Sequence, residues 1–188
     1  MAQAKTLTQS EIDQVLRYVS RTRYKIRNRA MVLTSFWSGM RVGEIAALTV
    51  SDVVNTDGTI KNEVRLTATQ TKGHYGRVVF INAKLRSELK TYLQSCRVRN
   101  PTQPLFYTEK SAGFNSNTLT QWFHWCYKKA GVCGASSHSG RRTFITNLAS
   151  KGIGVRVLAS LAGHRSIAVT QSYIDVNDDM KRAAVELA

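Results

Sequence analysis

The chain has 188 residues, 43% of them apolar, and its 27 lysines and arginines outnumber 12 acidic residues. This length fits one domain with a sizeable core, and only two prolines interrupt it, which argues against a disordered chain. A net charge of +15 favours a polyanionic partner, most commonly nucleic acid. A membrane surface is disfavoured because no segment forms an amphipathic helix with one uniformly basic face.

Cysteine usage and the first residues bear on the cellular compartment. Cys96, Cys126 and Cys133 form neither a C-x-x-C pair nor an even set, which predicts reduced thiols without a disulfide or a zinc site. The N-terminal ten residues lack the apolar stretch of a signal peptide, and no apolar run reaches membrane-spanning length. We therefore expect a cytoplasmic protein with no metal and no cofactor.

The predicted elements begin with a helix close to residue 1. Thr8 can cap it, Glu11 can complete a capping box, and Leu7 can pack onto Ile12. This start leaves no room for an earlier domain, so we expect one domain over residues 1–188.

Five basic residues then alternate from Arg21 to Arg29, which we interpret as a solvated face; the alternative is contact with DNA phosphates. An apolar helix over residues 30–37 should end at Gly39, and a short helix should cover residues 44–48. Residues 64–69 and 76–81 are typical of two strands joined by a turn over residues 71–75.

Helical spacing returns after an Asn82 cap, and further helices are expected near residue 117, over residues 140–150 and over residues 155–161. Ser166 can cap a last helix that carries Tyr173. The predicted fold class is therefore mainly α with a small antiparallel β-hairpin.

Several residues could act on a phosphate, although each is a weak signal alone. His138 and Arg141 lie three apart where a loop enters a helix, and a helix N-terminus attracts anions. His164 follows a glycine at a second loop-to-helix junction. Taken singly, Arg41 is typical of a surface arginine and Tyr173 of a packed aromatic.

Their order is far more specific. The sequence presents, in turn, Arg41 to Glu44, Lys72 in a turn, His138-x-x-Arg141, Gly163-His164 and Tyr173. With the flanking residues of segments 38–48, 137–146 and 161–173, this order resembles the catalytic domain of the tyrosine recombinase (phage integrase) family. The resemblance runs from Leu7 to Tyr173. Within these segments it departs from the family pattern at Gly140, Arg142 and Ala162, none of which is a catalytic position.

The resemblance implies a site and a reaction. Its catalytic residues would be Arg41, Lys72, His138, Arg141, His164 and Tyr173, with Glu44 in support. Tyr173 would attack the scissile phosphate and leave a 3′-phosphotyrosine and a free 5′-hydroxyl. Strand exchange and religation would follow without ATP or metal. Lys72 fits its turn and Lys61 does not, while Arg77 is a nearby cation.

The same chemistry assigns a role to each group. Arg41 and Arg141 would hold the non-bridging oxygens, since guanidinium forks match a phosphate and stay protonated. His138 would move the tyrosine proton, Lys72 would protonate the leaving 5′-oxygen and His164 would bind the phosphate. Glu44 would hold a cation or a histidine in position.

The family also implies partners: double-stranded DNA, a tetramer assembled on it, and accessory DNA-bending proteins, in the setting of a mobile element. The tail could pack on a neighbouring subunit through Val185 and Leu187, or on its own chain. The DNA-clamping domain that precedes the catalytic domain in most members is missing, which fits either an excised fragment or a naturally short recombinase. Two other functions stay open: a type IB topoisomerase, and a DNA-binding regulator that keeps the fold without the chemistry.

Overall fold

A computed structural model describes residues 4–71, 73, 75–96, 100–109, 113–174, 181–182 and 185–186. Its longer elements are α1 (Gln9–Ser20), α2 (Lys25–Ser38), α3 (Val42–Ala46), α4 (Val50–Val53), β1 (Glu63–Leu66), β2 (Arg77–Phe80), α5 (Ala83–Ser95), α6 (Ser116–Lys129), α7 (Ser139–Ala149), α8 (Val155–Ala162) and α9 (Ile167–Gln171). The predicted class, mainly α with a small antiparallel sheet, is confirmed. Within the described ranges, no helix combines the length and the apolar content that a membrane crossing requires.

Helix α1 begins with the predicted capping box. Thr8 Oγ1 accepts from the N–H of Glu11 at 3.3 Å, and the Glu11 carboxylate accepts from the N–H of Thr8 at 3.0 Å. Two of the four N–H groups that have no partner within the helix are thereby satisfied. Leu7 is buried just outside the helix and Ile12 within its first turns, as the predicted packing requires.

Helix α2 ends as expected at Gly39, whose φ of 63° gives the left-handed cap that glycine adopts without strain. The helix begins earlier than predicted, at Lys25, and takes in part of the basic segment. The interpretation of that segment as a solvated face is wrong for Arg27, which is only 7% exposed. Its guanidinium lies over the rings of Tyr24 and Phe114, because alternate residues of a helix point to different sides.

The two predicted strands pair antiparallel, with Glu63 opposite Phe80 and Leu66 opposite Arg77. Val64 and Leu66 face the core, which is the alternation expected of a half-buried ribbon. A short 3₁₀-helix, Ala68–Gln70, belongs to the connection between the strands. Helix α4 was not predicted from the sequence.

The next two helices also begin at polar caps. The Asn82 side chain accepts from the N–H of Leu85 at 2.8 Å, as the sequence predicts. Helix α6 begins at residue 116, one position before the expected start, because the Asn115 side chain accepts from the N–H of Thr118 at 2.9 Å.

Helix α2 lies in the middle of the core, where it packs against α5 on one side and α7 on another. The approach of α7 is close: a Cβ built on Gly140 would lie 2.0 Å from Ser35 Oγ and 2.8 Å from Ser35 Cβ. A residue without a side chain is therefore needed where the two helices cross, and this crossing sets the position of α7.

Helix α9 is shorter than expected and does not carry Tyr173. It ends at Gln171, with Ser166 in the N-cap position but without a side-chain capping bond. Tyr173 lies just beyond the helix, and its carbonyl accepts from Thr146 Oγ1 on α7 at 3.0 Å. This tertiary hydrogen bond holds the chain after α9 against α7, which no local pattern in the sequence could show.

The crossing of α2 and α7 makes a testable prediction. Gly140→Ala should lower the free energy of unfolding by about 1–3 kcal/mol, because overpacking forces the helices apart. Gly154→Ala, at the N-cap of α8, is a control with open space around the added Cβ, and it should cost less, about 0.5–1 kcal/mol from the weaker cap. Urea unfolding measures both. Adding Ser35→Gly should recover part of the loss in Gly140→Ala, and equal losses in the two alanine variants would contradict the packing.

Candidate active site

The carboxylate of Glu44 lies at the centre of the candidate site. Glu44 is on α3 and only 1% exposed. Its Oε2 accepts from the backbone N–H of Arg41 at 2.7 Å, and its Oε1 accepts from Arg41 Nη1 at 3.0 Å. The first bond satisfies the N-terminus of α3 and the second fixes the guanidinium. Glu44 thus stands where the sequence predicts a support for a cation.

A second arginine binds the same carboxylate. Arg77, at the start of β2, donates from Nη2 to Glu44 Oε2 at 2.7 Å and from Nε to Oε1 at 3.2 Å. Burial works to raise the pKa of Glu44, but the hydrogen bond and charge of Arg77, together with Arg41, outweigh it and hold the pKa below its usual range. Glu44 is therefore an anion at neutral pH, held between two guanidiniums.

The C-terminus of α8 collects three arginines. Its last carbonyls have no partners within the helix and carry the negative end of the helix dipole, so they favour cations. Three consecutive carbonyls accept from three different guanidiniums: Leu161 from Arg77 at 3.0 Å, Ala162 from Arg141 at 2.5 Å, and Gly163 from Arg41 at 3.3 Å.

Arg141, on α7, is the most deeply placed of the three at 3% exposed. Its Nη1 donates to the carbonyl of Gly39 at 2.6 Å, so the guanidinium joins the C-terminus of α2 to that of α8. Burial, followed by the charges of Arg41 and Arg77, lowers the pKa of Arg141 to about 9. The group is still a cation at neutral pH.

His164 follows Gly163, the C-cap of α8. It lines the same cleft as Arg41 and Arg77, and its ring lies beside that of Tyr173. Its Nδ1 lies 2.8 Å from Thr170 Oγ1, and its ring centroid lies 5.4 Å from that of Tyr173. Burial, followed by the charges of Arg141, Arg41 and Arg77, lowers the pKa of His164 to about 4. A neutral imidazole with Nδ1 engaged leaves Nε2 as the atom for a ligand.

An open cleft of about 610 Å³ adjoins the arginines, and Arg41, Arg77 and His164 contribute to its lining. Tyr75, the last residue of the predicted turn, also lines this cleft, and the guanidinium of Arg165 lies 4.5 Å from its ring centroid. We call this space the arginine cleft. Lys72 lies outside the described residues, although its neighbours Thr71 and Gly73 line the same cleft.

Tyr173 lines a second cleft, of about 410 Å³, which it shares with His138 and Arg142. We call this space the tyrosine cleft. His138 is exposed at the N-terminus of α7, whereas Arg141, one turn along, is turned toward the ends of α2 and α8. His138 and Arg141 therefore have different surroundings, with Tyr173 and His164 linking the two clefts.

The described members of the predicted site thus lie in one region of the fold. Sequence reasoning gave no role to two arginines there. Arg77 had one weak signal, a cation at a strand start beside the predicted turn. Arg142, whose guanidinium lies 5.4 Å from the Tyr173 ring centroid, was marked only as a departure from the family pattern next to Arg141.

The arrangement has the charge and donors to bind a phosphate. Among its described residues the cluster holds three guanidiniums and one carboxylate, which binds two of them, so positive charge predominates. Arginine keeps its charge and offers five N–H donors, which suits the oxygens of a phosphate. A tyrosine hydroxyl and a neutral imidazole at the edge of such a cluster are suited to nucleophilic attack on phosphorus.

Comparison with known proteins places the chain in a family. Residues 5–180 match the model of the phage integrase family, so the chain belongs to that family. It is 31% identical over 189 residues to the tyrosine recombinase XerA of Pyrococcus furiosus, covering 98% of this chain and 62% of that protein. It is also 28% identical to the tyrosine recombinase XerC of Lactobacillus delbrueckii subsp. bulgaricus, with 95% and 60% covered. The family resemblance seen in the sequence is confirmed.

Solved structures agree on the fold. The crystal structure of XerA recombinase matches with a TM-score of 0.77 and 26% identity, covering all of this chain and 66% of that one. The Tn1549 transposon integrase in complex with a circular intermediate DNA matches with a TM-score of 0.74 and 18% identity, covering 100% and 67%. The chain therefore has the tyrosine recombinase catalytic-domain fold, and it spans about 60% of the length of the curated relatives named above.

The burial of Glu44 leads to a stability prediction. Glu44→Gln should lower the free energy of unfolding by about 3 kcal/mol, because it leaves Arg41 and Arg77 without their carboxylate in a buried site. Glu88→Gln removes the partner of Arg29, whose side chain is 45% exposed, and should cost no more than about 1 kcal/mol. Urea unfolding compares the two, and similar costs would contradict the central place of Glu44.

The low pKa of His164 leads to a prediction on pH. An imidazole in the unfolded chain titrates near 6.5, above the folded value of about 4, so between these pH values the unfolded chain binds a proton that the folded chain excludes. The free energy of unfolding should therefore fall as the pH drops from 6.5 to 4, by less than about 1 kcal/mol per pH unit because the half-buried ring is partly screened.

Substitution of His164 isolates this contribution. His164→Asn should flatten the fall in unfolding free energy between pH 6.5 and 4, as measured by urea unfolding at several pH values. His124→Asn, which replaces an exposed imidazole on α6, should keep the slope of the unmodified protein. A slope that His164→Asn leaves unchanged would show that this ring accepts a proton as readily in the folded chain as in the unfolded one.

Proposed function

We propose that the chain is the catalytic domain of a site-specific DNA recombinase in which Tyr173 is the nucleophile. The observation that carries this proposal is the contact of Tyr173 with the imidazole of His164, at the edge of three arginines gathered on the end of α8. The family membership supports the same activity.

In the proposed reaction the Tyr173 oxygen attacks the scissile phosphorus and the bond to the 5′-oxygen breaks. The products are a 3′-phosphotyrosyl bond and a free 5′-hydroxyl. Attack by a 5′-hydroxyl on the phosphotyrosine reverses the step and reseals a strand. The phosphodiester energy is kept in the covalent intermediate, so religation needs no ATP.

Arg41 and Arg141 would bind the non-bridging oxygens, where charge gathers in the transition state. The Arg41 side chain is 30% exposed and lines the arginine cleft. Arg141 uses two of its five N–H groups on carbonyls, which leaves donors for the phosphate. These fixed cations would do what a metal ion does in other phosphoryl-transfer sites, so we propose a metal-free reaction without a cofactor.

The remaining groups would bind the phosphate and transfer the protons of the reaction. The Nδ1 bond to Thr170 orients His164 so that Nε2 can hydrogen-bond the phosphate. His138 shares the tyrosine cleft with Tyr173 and would assist the movement of the phenol proton. The protonation of the leaving 5′-oxygen by Lys72 stays a prediction from the sequence.

Double-stranded DNA is the proposed substrate. The net charge of +15 favours it, the Tn1549 transposon integrase is described in complex with a circular intermediate DNA, and the XerH site-specific recombinase is described bound to its difH substrate. Assembly as a tetramer on DNA, accessory DNA-bending proteins, a mobile-element setting and a cytoplasmic location also stay proposals. The tail contributes an exposed Val185 to the assembly proposal, while Leu187 lies outside the described residues.

Covalent trapping tests this function. The substrate is a DNA duplex from the ends of the element that carries the gene, with a nick beside the scissile phosphate. After cleavage the short fragment with the free 5′-hydroxyl dissociates, so the phosphotyrosine is trapped. Tyr173→Phe should abolish the trapped adduct on a denaturing gel and leave DNA binding within about twofold, because only the attacking oxygen is removed. Tyr75→Phe, at an exposed tyrosine of the arginine cleft, should still form the adduct.

The other outcomes separate the alternatives. An adduct that survives Tyr173→Phe would exclude Tyr173 as the nucleophile. DNA binding without any adduct from the unmodified chain would favour a regulator. Relaxation of a supercoiled plasmid that carries two sites, without recombinant products, would favour a topoisomerase.

A further inference from the structure

Arg142 is a second arginine of α7 at the candidate site, and nothing in the reaction above uses it. It follows Arg141 directly and is only 6% exposed. Its guanidinium carbon lies 5.4 Å from the centroid of the Tyr173 ring. Neighbouring residues of a helix point about 100° apart, so Arg141 reaches the helix ends while Arg142 lines the tyrosine cleft.

The guanidinium of Arg142 is held from the other end of the sequence. Its Nε donates to Thr6 Oγ1 at 3.1 Å, in the segment that precedes α1. The next residue of that segment is fixed to α7 as well, because the N–H of Leu7 donates to Thr143 Oγ1 at 2.9 Å. The guanidinium of Arg142 is therefore held by Thr6, and the bond from Leu7 to Thr143 fixes the segment that carries Thr6 against α7.

A cation at this place would act differently on the two forms of the phenol. It is attracted to the π face of a neutral ring, more strongly when the pair is shielded from water. Loss of the hydroxyl proton spreads negative charge into the ring, so the attraction to the guanidinium grows. A contact that is stronger to the ionised nucleophile than to the resting one favours the reaction and not merely the fold.

We propose that Arg142 is a positioning residue for Tyr173: anchored by Thr6, it holds the phenol ring at the tyrosine cleft and favours its ionised form. This inference rests on the proposed function, because it takes Tyr173 as the nucleophile. Arg142 acts in this role through the tyrosine ring. The other titratable or charged groups at Tyr173 are His164, whose ring centroid lies 5.4 Å away, His138 in the same cleft, and the cation of Arg141.

The pH dependence of cleavage tests the proposal. Single-turnover adduct formation on the nicked DNA is measured from pH 6 to 9.5 for the unmodified chain, Arg142→Met and Arg142→Lys. Arg142→Met should slow the reaction about tenfold at pH 7 and raise the midpoint of the pH–rate profile by about one unit. The two effects correspond, because a shift of one unit lowers the ionised fraction tenfold at a pH below the midpoint. The deficit should shrink at high pH, where hydroxide ionises the phenol without help.

Two further variants identify the cause. Arg142→Lys keeps the charge and should restore most of the rate and the midpoint. Thr6→Val removes only the anchor and should give a smaller shift in the same direction. Arg23→Met is the matched control, since it removes an exposed arginine 5.2 Å from the ring of Tyr24 and should leave the midpoint in place. DNA affinity and urea unfolding of each variant verify that folding and binding are intact.

The proposal is overturned if Arg142→Met keeps the original midpoint, whether its rate is unchanged or uniformly lower across the pH range. Should Arg142→Met fail to fold, Thr6→Val and Arg142→Lys decide by the same midpoint, and two unshifted profiles would overturn it. Tyr173→Phe distinguishes a failure of the proposed function from a failure of the proposed role of Arg142. An adduct in that variant would contradict the proposed function itself. Loss of the adduct there, with an unshifted Arg142→Met, defeats only the role of Arg142.

Discussion

The C-terminus of α8 is where the fold and the candidate site depend on each other. A helix ends there with carbonyls that its own backbone cannot satisfy, and three guanidiniums satisfy them in consecutive order. The arginines come from β2, α7 and the residue before α3, so one helix end ties the hairpin to two other helices. If water bound these carbonyls instead, the end of α8 would no longer hold the three positively charged side chains close together.

Glu44 makes this concentration of charge tolerable. Three buried or half-buried guanidiniums repel one another, and a carboxylate that binds two of them offsets part of that repulsion. It does not offset all of it: burial first, and the remaining positive charge after it, lower the pKa values of Arg141 and His164. The three arginines and Glu44 are thus held in place by the fold itself, so the proposed binding of a phosphate would require little rearrangement of these groups.

The sequence predicted what is encoded locally. The Thr8 capping box, the Asn82 cap, the Gly39 terminus and the antiparallel hairpin each depend on residues close together in the chain, and each is found. The end of α9 before Tyr173 and the burial of Arg27 depend on distant partners, so periodicity could not give them. The candidate site residues were predicted from the order of their motifs, and both their assignment and their roles stay predictions. Arg77 was marked only as a cation beside the predicted turn, and Arg142 only as a departure from the family pattern.

Gly163 has a consequence for how this region can vary among relatives. Its φ of 64° lets the chain turn from α8 toward His164, a conformation that asparagine also tolerates. A Cβ at this position, however, would lie 2.5 Å from Arg77 Cδ. Asparagine would meet the backbone requirement and still displace the arginine that holds Glu44. Two independent constraints, the positive φ and the space taken by Arg77, therefore act on position 163. A substitution there requires a smaller side chain at position 77 as well.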